Sequence, residues 1–205
     1  MLTLHHLNQS RSKRIIWMLE ELGVEYQIKA YQRDAKTFLA PVELKAIHPL
    51  GKSPVIENND LVLAESGAII EYLIEKFDAK EVFAPAKNSK EYAHYLQWLH
   101  FAESSAAFPL LMDYFLKKDA SQSEFLNGYV AMELEKILSY LSDHLQQQPW
   151  LTGQQFTGAD VLISFIFEIA SSMGLLADYP VLQDYLARLK LRPAAIKAEQ
   201  IEAEH

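Results

Sequence analysis

The stretch Gly51-Lys52-Ser53-Pro54-Val55-Ile56, followed nine residues after Ile56 by Glu65-Ser66-Gly67-Ala68-Ile69-Ile70, most restricts how this chain can fold. Proline has no N–H to give a sheet ladder, so Pro54 belongs at the head of a strand or on its edge. The backbone beside it is then open to an extended ligand. Glu65 and Ser66 open an apolar run with helical spacing, where unpaired N–H groups and a partial positive charge suit a carboxylate. Together the two segments read as a cradle for a short anionic peptide, beside a helix with a serine at its start.

The rest of the first eighty residues supplies a sheet to carry that cradle. Leu2, Leu4 and the residues to Leu7 alternate as in a half-buried strand, and Asn8-Gln9-Ser10-Arg11-Ser12 is a polar turn. Ile15, Ile16, Leu19 and Leu22 share a helix stripe, with Gly23 placed to end it in the left-handed conformation. Tyr26, Ile28 and Ala30 alternate again, so a parallel pair joined by a helical crossover is expected. Pro41 opens a short helix through Ile47. Val55-Ile56 and Leu61-Val62-Leu63 flank the turn cluster Asn58-Asn59-Asp60 as an antiparallel hairpin, and a helix runs from Ser66 through Phe77.

Strand signals stop after Asp78. A long helix is expected from Tyr92 toward Phe115, kinked at Pro109, and another along Val130, Leu134, Ile137, Leu138, Leu141 and Leu145. Thr157-Gly158-Ala159-Asp160 has the spacing of a capping box with Asp in the place of Glu, and Phe156 and Val161 stand where they staple that entry. Val161 to Met173 is apolar nearly all round and should be the central buried helix. A last helix opens at Pro180 and ends near Arg192-Pro193; the polar tail after Ile196 is expected to fray, and the charges from Arg188 to Arg192 to form a solvated face. The fold class is α+β: a βαβαββα domain over residues 1–78, a linker over 79–90 and an all-helical domain over 91–205.

Composition closes off several functions. The formal net charge of −8 argues against nucleic acid or an acidic membrane surface as partner. There are no cysteines, so no chemistry runs through a thiol of the protein itself. The N-terminus lacks a signal-peptide layout and no apolar run nears the ~18 residues of a membrane span, so a cytoplasmic protein is expected. His5-His6 invites a metal, but adjacent strand residues face opposite ways, and no metal site is expected.

Four motifs stand in order along the chain: Leu7-Asn8-Gln9-Ser10-Arg11-Ser12-Lys13-Arg14, His48-Pro49-Leu50-Gly51-Lys52-Ser53-Pro54-Val55, Glu65-Ser66-Gly67-Ala68-Ile69 and Phe156-Thr157-Gly158-Ala159-Asp160. With Leu19-Glu20-Glu21-Leu22-Gly23 they closely resemble the cytosolic glutathione S-transferase family over the whole chain, and within it the bacterial and fungal branch with an active-site serine. The resemblance implies a thioredoxin-like first domain, a cis peptide before Pro54, glutathione as co-substrate and a homodimer. It implies that Val55 pairs its backbone with the cysteinyl unit, that Ser53 and Pro54 shape that segment, that Glu65 and Ser66 hold the γ-glutamyl end, and that Lys52 takes the glycine carboxylate. Family members often carry asparagine where His48 stands, so no role passes to His48.

In that chemistry the glutathione thiolate attacks a small hydrophobic electrophile. A free thiol has a pKa of about 8.5, so only a few per cent is ionised at neutral pH. Lowering it by roughly two units requires about 2.7 kcal/mol. A helix N-terminus supplies at most about 2 kcal/mol and one hydrogen bond to a charge roughly 1.5–3 kcal/mol, so a hydroxyl donor at the start of a helix supplies both. By its spacing to Arg14, Ser10 takes the family's catalytic serine position and Ser12 the helix cap; Arg11 can support the thiolate by charge. Ser10, Ser12 and Arg11 stand as alternatives at this point. Phe101, Ser105, Phe108, Met112 and Phe115 fall at helical spacings and are candidates for the electrophile pocket between the domains, though such aromatics are more often core. Peroxide reduction by the same thiolate and a non-enzymatic scaffold are the competing functions.

Overall fold

The computed structural model describes residues 1–120 and 122–205. It begins with β1 (Leu2–Leu7), α1 (Lys13–Leu22) and β2 (Tyr26–Tyr31), the two strands parallel with Leu2 opposite Tyr26 and Leu7 opposite Tyr31. Helix α1 buries Ile15, Ile16, Met18 and Leu19 completely, and Gly23 ends it at φ 65, as its position predicts. The hairpin β3 (Val55–Asn58) and β4 (Leu61–Ala64) is antiparallel, turning through Asn59 at φ 54. The sheet order is β2-β1-β3-β4, with β1 and β3 antiparallel. Helix α3 (Ser66–Phe77) follows β4 directly. The short helix α2 (Leu44–Ile47) starts later than Pro41, because residues 41–43 form a turn in which the Pro41 carbonyl accepts from the Leu44 N–H.

The helical part holds α4 (Lys90–Glu103), α5 (Ala107–Lys118), α6 (Glu124–Gln147), α7 (Gly158–Ser172) and α8 (Pro180–Lys190). The single kinked helix expected from Tyr92 to Phe115 is two helices. The break falls at Ser104, which leaves helical geometry at φ −112, ψ −82 while its hydroxyl donates to the His100 carbonyl at 2.6 Å. Pro109 causes no kink; it lies in the first turn of α5, where its missing N–H has no helical partner to lose. Helix α7 is buried along most of its length, and Thr157 and Asp160 form the reciprocal capping box that their spacing predicts.

The chain divides into two compact units, residues 1–80 with 190–205, and residues 81–189. The C-terminal segment does not fray. Helix α9 (Pro193–Glu204) packs on α1, held by Lys13 to Glu199 at 2.9 Å and Lys197 to Glu20 at 2.7 Å. Nor are the charges at 188–192 a solvated face. Arg192 grips Glu21 through two nitrogens at 2.6 and 2.8 Å, while Arg188 donates to the Pro149 carbonyl and lies over the Trp150 and Tyr185 rings.

Candidate active site

Three segments meet at the end of the sheet where β1 finishes, β3 starts and β4 finishes. Val55 is paired with His5 on one side and Ala64 on the other, so the β1–α1 turn, the segment before β3 and the start of α3 are neighbours by register. The peptide between Ser53 and Pro54 is cis. The Ser53 hydroxyl ties this segment to β1 by donating to the His5 carbonyl at 2.8 Å. Gly51 bends the approach at φ 59; a Cβ there would lie 2.7 Å from Cγ of Lys45.

The backbone expected to be open at Val55 is not open, because Val55 lies inside the ladder between two strands. The half-buried Ser53 is the residue beside the proline whose backbone N–H and C=O have no backbone partner among the described residues. Lys52 is exposed next to it.

Glu65 is the N-cap residue of α3, at φ 70 and ψ 116, and its carboxylate is exposed with no hydrogen bond to a described residue. Ser66 is the first residue of α3 rather than its cap. Its buried hydroxyl accepts from the Arg14 guanidinium at 3.1 Å, so α1 braces the start of α3.

In the β1–α1 turn, Ser10 is 7% exposed and Ser12 fully buried, while Arg11 is half-buried between them. Ser12 occupies the N-cap position of α1, but its hydroxyl caps nothing. It sits instead in a buried cluster: 2.8 Å from the Ser10 hydroxyl, 2.8 Å from Nδ1 of His6, and 3.3 Å from both the N–H and the carbonyl of Leu7. The Ser12 N–H donates to the Ser10 hydroxyl at 3.2 Å. Behind the cluster, Oε1 of Glu202 from α9 accepts the Gln9 N–H at 2.7 Å, and its Oε2 lies 3.3 Å from Nε2 of His6. Burial, with some help from His205, lowers the His6 pKa to about 4, so the ring is neutral at neutral pH.

Residues 1–75 match the family described as glutathione S-transferase, N-terminal domain, and residues 107–198 the one described as glutathione S-transferase, C-terminal domain. The chain belongs to the glutathione S-transferase family. Glutathione S-transferase 3 of Schizosaccharomyces pombe is 34% identical over 98% of this chain and 88% of its own length. A crystal structure of a glutathione S-transferase from Actinobacillus pleuropneumoniae is 38% identical, with a TM-score of 0.91 over 99% of this chain and 93% of that one. A Phanerochaete chrysosporium glutathione transferase, solved in complex with oxidized glutathione, is 25% identical with a TM-score of 0.82 over 99% of this chain and 96% of that one. The βαβαββα unit of this glutathione transferase is therefore the thioredoxin-like one, followed by an all-helical C-terminal domain.

The five residues named for the electrophile do not share one helix face in this transferase. Phe108, Met112 and Phe115 lie on α5, with Phe108 and Phe115 more than half exposed and Met112 half-buried. Phe101 is on α4, packed edge-on against Trp98 and Tyr140, and Ser105 is in the turn between the two helices. The adjacent histidines separate as strand geometry requires: His5 meets the Tyr31 hydroxyl at 2.9 Å and Glu57 at 3.0 Å, whereas His6 meets Ser12 and Glu202. Among the described residues no group of acidic and histidine side chains could hold a metal ion. The sequence reading missed His6, Glu202 and the Arg14–Ser66 brace. For His6 and Arg14 the signal was present, since a polar residue inside an apolar pattern needs a partner. For Glu202 there was none.

Proposed function

We propose that this glutathione transferase joins the sulfur of glutathione to small hydrophobic electrophiles, as a cytoplasmic homodimer of the serine-type branch. The observation that carries the reading is the meeting, at one end of the sheet, of the Ser10 hydroxyl, the unpaired Ser53 backbone and the exposed Glu65 carboxylate at the start of α3. Each matches one part of the tripeptide. The cysteinyl backbone pairs with Ser53 beside the cis proline, in place of Val55. The ammonium of the γ-glutamyl unit meets Glu65, its carboxylate meets Ser66 and the N–H groups that open α3, and Lys52 faces the glycine carboxylate. The sulfur then lies toward the β1–α1 turn, where Ser10 donates to it and Arg11 adds positive charge.

In the reaction the thiol proton leaves to solvent and the thiolate attacks the electrophilic carbon. With an aryl halide a carbon–sulfur bond forms, the carbon–halogen bond breaks, and the halide departs with the electron pair. The solved relative in complex with oxidized glutathione supports the choice of co-substrate.

The test is glutathione-dependent conjugation of 1-chloro-2,4-dinitrobenzene by wild type and Ser10→Ala. Wild type should turn over, and Ser10→Ala should lose about ten- to a hundredfold in kcat/KM while still binding glutathione, the range of one hydrogen bond to a charge. Full activity in Ser10→Ala removes the serine from this role. Turnover of an organic hydroperoxide without conjugation would favour peroxide reduction, and no glutathione binding would leave a scaffold.

A further inference from the structure

The Ser10 and Ser12 hydroxyls are 2.8 Å apart, and each has a single proton. Which of them can donate to a bound sulfur depends on where the Ser12 proton goes, and that depends on His6. Nε2 of His6 is 3.3 Å from an oxygen of Glu202; the two atoms make no hydrogen bond, and the carboxylate acts on the ring through its charge. Nδ1 is 2.8 Å from the Ser12 hydroxyl, which can serve either way. A neutral imidazole has one N–H, and the negative charge beside Nε2 favours it there. Nδ1 is then a lone pair, and it takes the Ser12 proton at 2.8 Å in preference to the Leu7 carbonyl at 3.3 Å. With its proton spent, the Ser12 oxygen only accepts: from the Leu7 N–H and from Ser10.

We infer that Glu202 and His6 are positioning residues that fix the direction of the serine pair, so that Ser10 is the sole hydroxyl of the turn with a proton to give a ligand. This rests on the thiolate role proposed for that turn and decides between its two serines. Ser12 is a buried acceptor that holds the Ser10 proton in the absence of ligand. When a thiolate docks, Ser10 rotates its O–H from a neutral oxygen to an anion, which is the stronger acceptor. No proton is transferred along the series; only hydrogen-bond directions are set. Glu202 sits at the far end of the chain from the residues it orients, with Oε1 on the Gln9 N–H and Oε2 3.3 Å from Nε2 of His6.

The first measurement needs no ligand. Two-bond 1H–15N spectra of histidine-labelled protein at neutral pH should show His6 with Nε2 protonated and Nδ1 bare. Glu202→Gln removes the charge beside Nε2, so the N–H should shift from Nε2 toward Nδ1. Protonated Nδ1 in the wild type, or an unchanged tautomer in the variant, overturns the inference. The second measurement titrates the thiol of bound glutathione by its thiolate absorbance. Ser10→Ala should lower the thiolate-to-thiol ratio about ten- to a hundredfold, the range of a charge-assisted bond. Ser12→Ala should raise it about two- to tenfold, because Ser10 loses its competing neutral acceptor. A fall in Ser12→Ala would make Ser12 the donor and overturn the inference. If the wild type binds no glutathione, the proposed function fails while the tautomer spectra still decide the direction of the series.

Discussion

Glu65 holds φ 70 and ψ 116 without being glycine, and its carboxylate is exposed. Side chains at positive φ cost of order 1–3 kcal/mol, and such strain persists where surrounding structure enforces it. Here Val55 and Ala64 are locked in register just before it, and the Ile69 N–H closes the first turn of α3 on the Glu65 carbonyl. The strain aims the carboxylate outward instead of letting it fold back over the helix N–H groups. Glu65→Gly should relieve it, offset by the roughly 0.5–1 kcal/mol that glycine's chain entropy costs. The expected outcome is a protein about 1 kcal/mol more stable in urea unfolding that binds glutathione more weakly in calorimetry. A variant that is both less stable and equally tight would show that the backbone here is unstrained and the carboxylate idle.

At the scale of elements, two helices are held by opposite physics. Helix α7 is anchored by a fully buried carboxylate: Asp160 accepts from the Leu151 N–H at 2.9 Å, the Tyr185 hydroxyl at 2.7 Å, the Thr157 N–H at 2.8 Å and the Thr157 hydroxyl at 3.1 Å. Burial raises its pKa while these bonds draw it back down. Each carboxylate oxygen accepts from one backbone N–H, of Leu151 or of Thr157, so Asp160→Asn would point an NH2 at an obligate donor whichever way the amide turns. The expected loss is about 3 kcal/mol or more, read from the midpoint of urea unfolding. Helix α9 is the reverse case, with Ala198 its one fully buried residue and its docking made of charges. The strongest is Arg192 on Glu21, whose side chain also accepts the Trp17 indole N–H at 2.9 Å. Glu21→Gln breaks the two-point grip and should speed amide exchange across 193–204 without shifting the global unfolding transition. Equal loss of protection throughout the chain would mean that α9 opens only with the whole domain.

Over the whole molecule, what could be read from the sequence was what local patterns encode. Alternation gave the strands, the stripe in α1 and Gly23 gave its end, the Asn58-Asn59-Asp60 cluster gave the hairpin, and Thr157 to Asp160 gave the cap of α7. The motifs gave the family and, with it, the cis peptide before Pro54. What escaped depends on contacts across the length of the chain. No local signal says that a polar tail at 193–204 returns to residues 9 and 13, and without that return Ser12 looks like a simple cap and His6 like a chance polar residue in a strand. The difference has a measurable consequence for stability. His6 is fully buried, with Ser12, Glu202 and His205 around its ring, and its pKa falls from 6.5 to about 4 on folding. A histidine depressed in the folded state binds its proton better when unfolded, so stability is intact above pH 6.5 and drains as pH falls toward 4. The full loss is about 3 kcal/mol, and about 2 kcal/mol of it should be gone by pH 5, before most carboxylates titrate. Urea unfolding at pH 7 and pH 5 should therefore show a drop in wild type that His6→Asn, with nothing to titrate there, largely lacks. Equal drops in the two proteins would place the acid sensitivity elsewhere and show that the His6 ring accepts a proton in place.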